Sequence, residues 1–136
     1  MKFVKASLLI LPVAVALLLS GLPAEAHHSF AATYIGEKEI NVDGTVVQIS
    51  LRSPHSFFFV EAKDDKGLVR RWAFEGAAAT QLTNQGVTRD TFKVGDPVKV
   101  IANPSRDPEA YRGRMIKITR TTDGKSWGSK TGETVD

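Results

Sequence analysis

From residue 38 onward the apolar side chains of this chain recur mostly at the two-residue period of β-strands. Within 38–51, Val42, Gly44 and Val46 share one face, and the apolar phase then slips to Val47, Ile49 and Leu51. A one-residue slip in a period-two pattern predicts a bulge or a strong bend. Arg52-Ser53-Pro54 ends the strand, because proline cannot donate to a central ladder. A second strand is expected over 56–63, where Phe57, Phe58, Phe59 and Val60 make both faces apolar, as in a core strand. Asp64-Asp65-Lys66-Gly67 reads as a hairpin turn, and 68–75 returns as a third strand carrying Val69, Trp72 and Phe74.

Residues 76–85 carry the helical signal: Ala77, Ala78, Ala79 and Leu82, with Gly86 as the C-terminal stop. The loop Phe92-Lys93-Val94-Gly95-Asp96-Pro97 leads into a fourth strand over 98–102, followed by a polar loop at 103–112. A fifth strand spans 113–121, with Met115, Ile116 and Ile118. Beyond 122 the residues are small and polar, a tail around the anchoring Trp127. Three strands, one short helix and two more strands, the first of them bent, predict an all-β chain folded as a small five-stranded OB-like barrel. A small open β-sandwich would share most of these strands and stands as the alternative.

The first 26 residues break this pattern. Lys2 and Lys5 precede a mostly apolar run over 6–19, Gly21-Leu22-Pro23 interrupts it, and Ala24-Glu25-Ala26 forms a small-residue cleavage site. The run is too short for a comfortable membrane span. The expected organisation is a signal peptide at 1–26, an arm at 27–37, the barrel at 38–122 and a polar tail at 123–136. That places the mature protein in the periplasm or outside the cell, with no stable membrane span after cleavage. The chain has no cysteine, which excludes a lipoprotein anchor, disulfides and thiolate metal sites. Cleavage would remove two of 18 basic residues and one of 15 acidic ones, leaving 16 against 14. So mild an excess gives little support for a polyanion partner.

Cleavage after Ala26 would make His27 the mature N-terminus, with His28 beside it. A terminal amine and an imidazole on one residue chelate a transition metal, and nitrogen ligands suit copper. A third nitrogen would come from His28 or from His55, which lies beside the bend of strand one. An arm folded back over the barrel mouth would bring those regions together. Cleavage after Ala24 would instead put His27 third, an arrangement that binds Cu(II) or Ni(II) with backbone nitrogens. The bland reading stands beside these: solvated histidines, a turn capped by His28-Ser29, and His55 bonding a loop backbone.

Other chemistry is thinner. Asp64-Asp65 reads as a solvated turn. Glu75 either orients a histidine or places a negative charge ahead of the helix. Ser29, Ser53 and Ser56 lie beside or near histidines, but no third group completes a triad, and there is no Gly-rich phosphate loop. Phe57-Phe58-Phe59 with Arg52, Arg70 and Arg71 imitates a nucleic-acid stacking platform, yet export argues against that partner. Lys99, Arg112, Arg114, Lys117 and Arg120 would bind an anionic small molecule or membrane surface if they shared a face.

The start His27-His28-Ser29-Phe30-Ala31-Ala32 resembles that of a bacterial exported family of unknown function, DUF6152. Gly44-Thr45-Val46, Pro54-His55, Trp72-Ala73-Phe74-Glu75 and Lys93-Val94-Gly95-Asp96 extend the resemblance over most of 27–121. Thr33-Tyr34-Ile35 replaces a more acidic stretch, and Arg52-Ser53 stands where Thr-Asn is commoner. The resemblance brings no activity with it. Three functions are therefore expected from the residues, binding being favoured over catalysis. The first is a periplasmic copper-binding or copper-handling protein using His27 with His28 or His55. The second is a non-metal OB-like module, without catalytic activity, that holds a small ligand or an envelope protein. The third, an N-terminal-histidine oxidase, would need an open copper position and a substrate surface.

Overall fold

The phase slip in the first strand is a β-bulge. The structure, a computed structural model, describes residues 30–128. Residues 30–32 fall in an N-terminal unit, Met1–Ala32, in which they are helical; the barrel belongs to the second unit, from Thr33 onward. In that unit β1 (Ile40–Ser50) pairs Val46 with Val60 and Gln48 with Phe59, so Val47 is the extra residue. The first half of β1 pairs with β4 (Pro97–Pro104) and the second half with β2 (Phe57–Lys63). One bent strand thus serves two sides of the barrel.

Among the described residues the strands run in the order β3-β2-β1-β4-β5-β6, where β3 is Val69–Glu75, β5 is Arg112–Arg120 and β6 is Ser126–Gly128. A parallel pairing of β3 with β5 closes the first five into a barrel, and the other neighbours are antiparallel. This is the OB connectivity, with β6 added outside it. The core holds Val42, Val46, Phe58, Val60, Phe74, Val98, Val100, Met115 and Ile118. Phe92 packs edge-on against both Phe58 and Trp127, at centroid distances of 5.7 and 4.8 Å, and the fully buried Leu82 comes from the helix.

The helix α1 (Ala79–Asn84) starts three residues later than the composition predicts. The backbone N–H of Gly76 donates to Ser56 and that of Ser56 to Ala77, so Gly76 and Ala77 extend the β2–β3 pairing instead. Gly86 ends the helix as expected, with a φ of 83°. Strand β4 is longer than predicted, with a proline at each end, where the missing N–H leaves no gap in the ladder. Asn103, expected in a loop, is buried on this strand and donates to the carbonyls of Gly36 and Lys38. That amide holds the preceding segment against the barrel. In the stretch read as tail, β6 forms where Trp127 pairs with Ile118. The Gln85 side chain donates to the Gly128 carbonyl and accepts from its N–H, both at 3.0 Å.

Gly44 lies where β1 passes from one neighbour to the other. A Cβ there would strike the Glu61 carbonyl oxygen and approach Val60 Cγ1 to 2.7 Å. We expect Gly44→Ala to destabilise the barrel by about 1–3 kcal/mol in thermal or denaturant unfolding. Gly36→Ala, with open space around its Cβ, serves as the control and should unfold close to the parent.

Candidate functional site

Strand β2 divides its three consecutive phenylalanines between two faces. Phe58 is fully buried in the core, whereas Phe57 and Phe59 keep partial exposure with Glu61 and Lys63 on the opposite side. The expectation of a wholly internal aromatic strand is corrected on this point. The signal was present in parity, since Phe57 and Phe59 share their register with two charged residues. The two rings lie 6.3 Å apart with a 24° interplanar angle.

Pairing places further residues on this face. Phe57 is opposite Glu75, Phe59 is opposite Ala73, and across the closing seam Ala73 meets Arg112 and Glu75 meets Arg114. The Arg71 guanidinium lies 5.0 Å from the Phe59 ring centroid and donates to Gln48 Oε1 at 2.7 Å. The Arg112 guanidinium lies 5.8 Å from the Phe57 ring and 5.7 Å from that of Tyr34. An arginine plane beside a ring gains from cation–π attraction while its N–H groups stay available.

Glu75 is the hub of the polar part. Its Oε2 accepts from the Tyr34 hydroxyl at 2.6 Å and from Arg112 Nη2 at 3.0 Å, and Arg112 Nε donates to the Tyr34 oxygen at 2.8 Å. Its Oε1 lies 3.6 Å from His55 Nδ1. The carboxylate is only 12% exposed, against 36% for the His55 side chain and 40% for that of Arg112. Tyr34 is buried, and burial raises its phenol pKa well above the ordinary value; the hydrogen bond to Glu75 and its charge act in the same direction. A phenol held protonated beside a carboxylate is a fixed donor.

Of the three histidines proposed as metal ligands, His27 and His28 lie outside the described residues. His55 is placed beside Glu75, the pairing the sequence reading had left open for that carboxylate. Among the described residues no group of three or more His, Asp or Glu side chains is arranged to hold a metal ion. Three cations of the last two strands have acidic partners. Lys99 faces Asp43 at 4.0 Å, Arg112 bonds Glu75, and Arg120 bonds Asp123 while lying over Phe92 and Trp127. Asp64 is a turn residue: it accepts from the N–H groups of Lys66 and Leu68 and from Arg70 Nε. Tyr34 went unrecognised, because nothing local marks a tyrosine that bonds a residue 41 positions away.

Among the described residues no helix is long and apolar enough to cross a membrane. The sequence model of a family described as "Family of unknown function (DUF6152)" matches residues 15–113. No curated protein and no solved structure matches the chain.

The raised phenol pKa of Tyr34 gives a signed prediction. Stability from this group is complete below the unfolded phenol value of about 10 and is lost as pH climbs toward the higher folded value. Tyr34→Phe should lower stability by about 1 kcal/mol at neutral pH and remove this component of the alkaline loss. In a Tyr111→Phe background, the remaining tyrosine should ionise well above the range of a solvated phenol in an ultraviolet absorbance titration. An ordinary titration curve would contradict the burial of this hydroxyl against Glu75.

Proposed function

This chain belongs to the DUF6152 family, and we propose that it is a small exported binding protein that holds its ligand on the outer face of β2, β3 and β5. The observation that carries this reading is the placement of Phe57 and Phe59 outside the barrel, each beside an arginine. Aromatic surface left partly exposed is a cost that a binding site offsets when occupied. The equivalent face of OB barrels, with the loops after the first and fourth strands, takes ligands in many unrelated proteins, and this analogy is one of fold. Here those loops carry Arg52 and His55, and Arg106 and Tyr111. Export is read from the leader pattern at 1–26.

An NMR titration of the isotope-labelled protein with a mixture of small aromatic compounds tests the reading. Amide shifts should change along 57–61, 73–75 and 112–114 and fade in Phe59→Leu. Changes gathered elsewhere, or none at all, would sink it.

The second reading is copper capture through the amine and imidazole of His27. In the barrel unit the Glu75 carboxylate lies 3.6 Å from His55 Nδ1, near enough to orient the ring of a histidine that shared the ion. A Cu(II) titration followed by EPR separates the sources. Tight one-to-one binding by protein with an authentic His27 terminus, lost when one glycine precedes it, is the expected result for a terminal chelate. Loss only in His55→Ala would move the ligand set to the barrel, and weak binding equal in all three proteins would remove copper.

A further inference from the structure

The ligand face has a small centre and unequal charges, and together these define a class of ligand. At its centre is Ala73, in register with Phe59 on one side and Arg112 on the other. Phe59 and Arg112 are therefore two strand spacings apart, about 10 Å. The small side chain of Ala73 thus lies between the strand positions of Phe59 and Arg112. That width suits one flat ring system lying on Ala73 against the edge of Phe59, with room for a substituent toward the arginines.

The hydrogen-bond donors of the face are not exhausted by its acids. Glu75 accepts from Tyr34 and Arg112 on Oε2, and its Oε1 lies 3.6 Å from His55 Nδ1, so the carboxylate is turned toward that cluster. Arg112 spends Nε and Nη2 on that cluster, and its Nη1 has no hydrogen bond to any described residue. Arg71, two residues along β3 from Ala73, has the neutral Gln48 amide as its hydrogen-bond partner and no carboxylate in ion-pair range among the described residues. Glu61 is opposite Arg71 in register, at the end of the face away from Glu75. Each guanidinium is also steadied by a phenylalanine ring, which reduces the freedom it loses on binding.

We propose that this face binds a planar aromatic anion, its ring system over Ala73 and beside Phe59, its carboxylate, sulfonate or phosphate received by Arg71, with Nη1 of Arg112 adding positive charge at the other end of the face. This assignment rests on the reading of the β2–β3–β5 face as the binding site, and it adds the ligand class. Arginine suits such a group because its planar fork meets two oxygens at once. A cationic ligand is disfavoured by the same two side chains, and a neutral one gains the ring contacts alone.

Two fluorescent probes with the same ring system separate these terms: anilinonaphthalene sulfonate, and phenylnaphthylamine, which lacks the sulfonate. Both are titrated into the full chain, Arg71→Gln and Phe59→Leu, with thermal unfolding confirming that each variant remains folded. The sulfonate should bind about tenfold more tightly than the neutral probe, and Arg71→Gln should erase most of that difference. Phe59→Leu should weaken both probes, and added salt should weaken the sulfonate alone. Equal affinities, both reduced in Phe59→Leu, would overturn the anion assignment and leave the binding face standing. Binding of both probes that ignores Phe59→Leu would overturn the face itself.

Discussion

The parallel seam between β3 and β5 is the constraint on which both barrel and site depend. It has three register pairs, Ala73 with Arg112, Phe74 with Gly113 and Glu75 with Arg114. Parallel pairing is slightly weaker per residue than antiparallel pairing, and three pairs are few. Side chains reinforce it from outside. Arg112 on one strand bonds Glu75 on the other, and Tyr34 bonds both. On the inside, Gly113 allows the close approach: a Cβ there would lie 2.9 Å from that of Ala102 and 3.2 Å from Phe74 Cδ1. The contacts that close the barrel also bring Ala73 and Glu75 beside Arg112 and so build the face.

A carboxylate this enclosed is not an obvious source of stability. Withdrawing its charge from water is expensive, and two hydrogen bonds with a neighbouring cation mainly recover that loss. What the arrangement supplies is direction. Tyr34 donates because the carboxylate can only accept, and Arg112 is held on two nitrogens with its third left over. Fixing the guanidinium in this way leaves less freedom to lose when an oxygen ligand arrives. Arg71, held by one amide and one ring, is the looser of the two.

Much of the barrel was legible because alternation reports burial directly. The slip from Val46 to Val47 marked the bulge, and Gly86 marked the end of the helix. The start of the helix was not legible, since the three alanines favour a helix and only the pairing of Ser56 with Gly76 and Ala77 overrides them. Asn103 looked like a loop residue because its role is to bond carbonyls more than 60 positions away. Phe57 and Phe59 were hidden by Phe58, whose presence erases the alternation within the run. The polar site was the least legible part. His55, Glu75 and Arg112 each stood out as chemistry, but their meeting depends on the seam, and no local pattern encodes a parallel closure.

The two functional readings draw on the same carboxylate in different ways. A metal at His55 would use Glu75 as the group that orients the imidazole, 3.6 Å from Nδ1. An aromatic anion would use it only through Arg112, which Glu75 holds by Nη2. Glu75 therefore does not choose between them; the occupant does. A bound anion and a bound copper ion carry opposite charges, so occupation of one site would favour occupation of the other by direct attraction. The strength of that coupling is set by the distance between the ion at His55 and the anionic group, and it weakens with added salt where both lie in solvent.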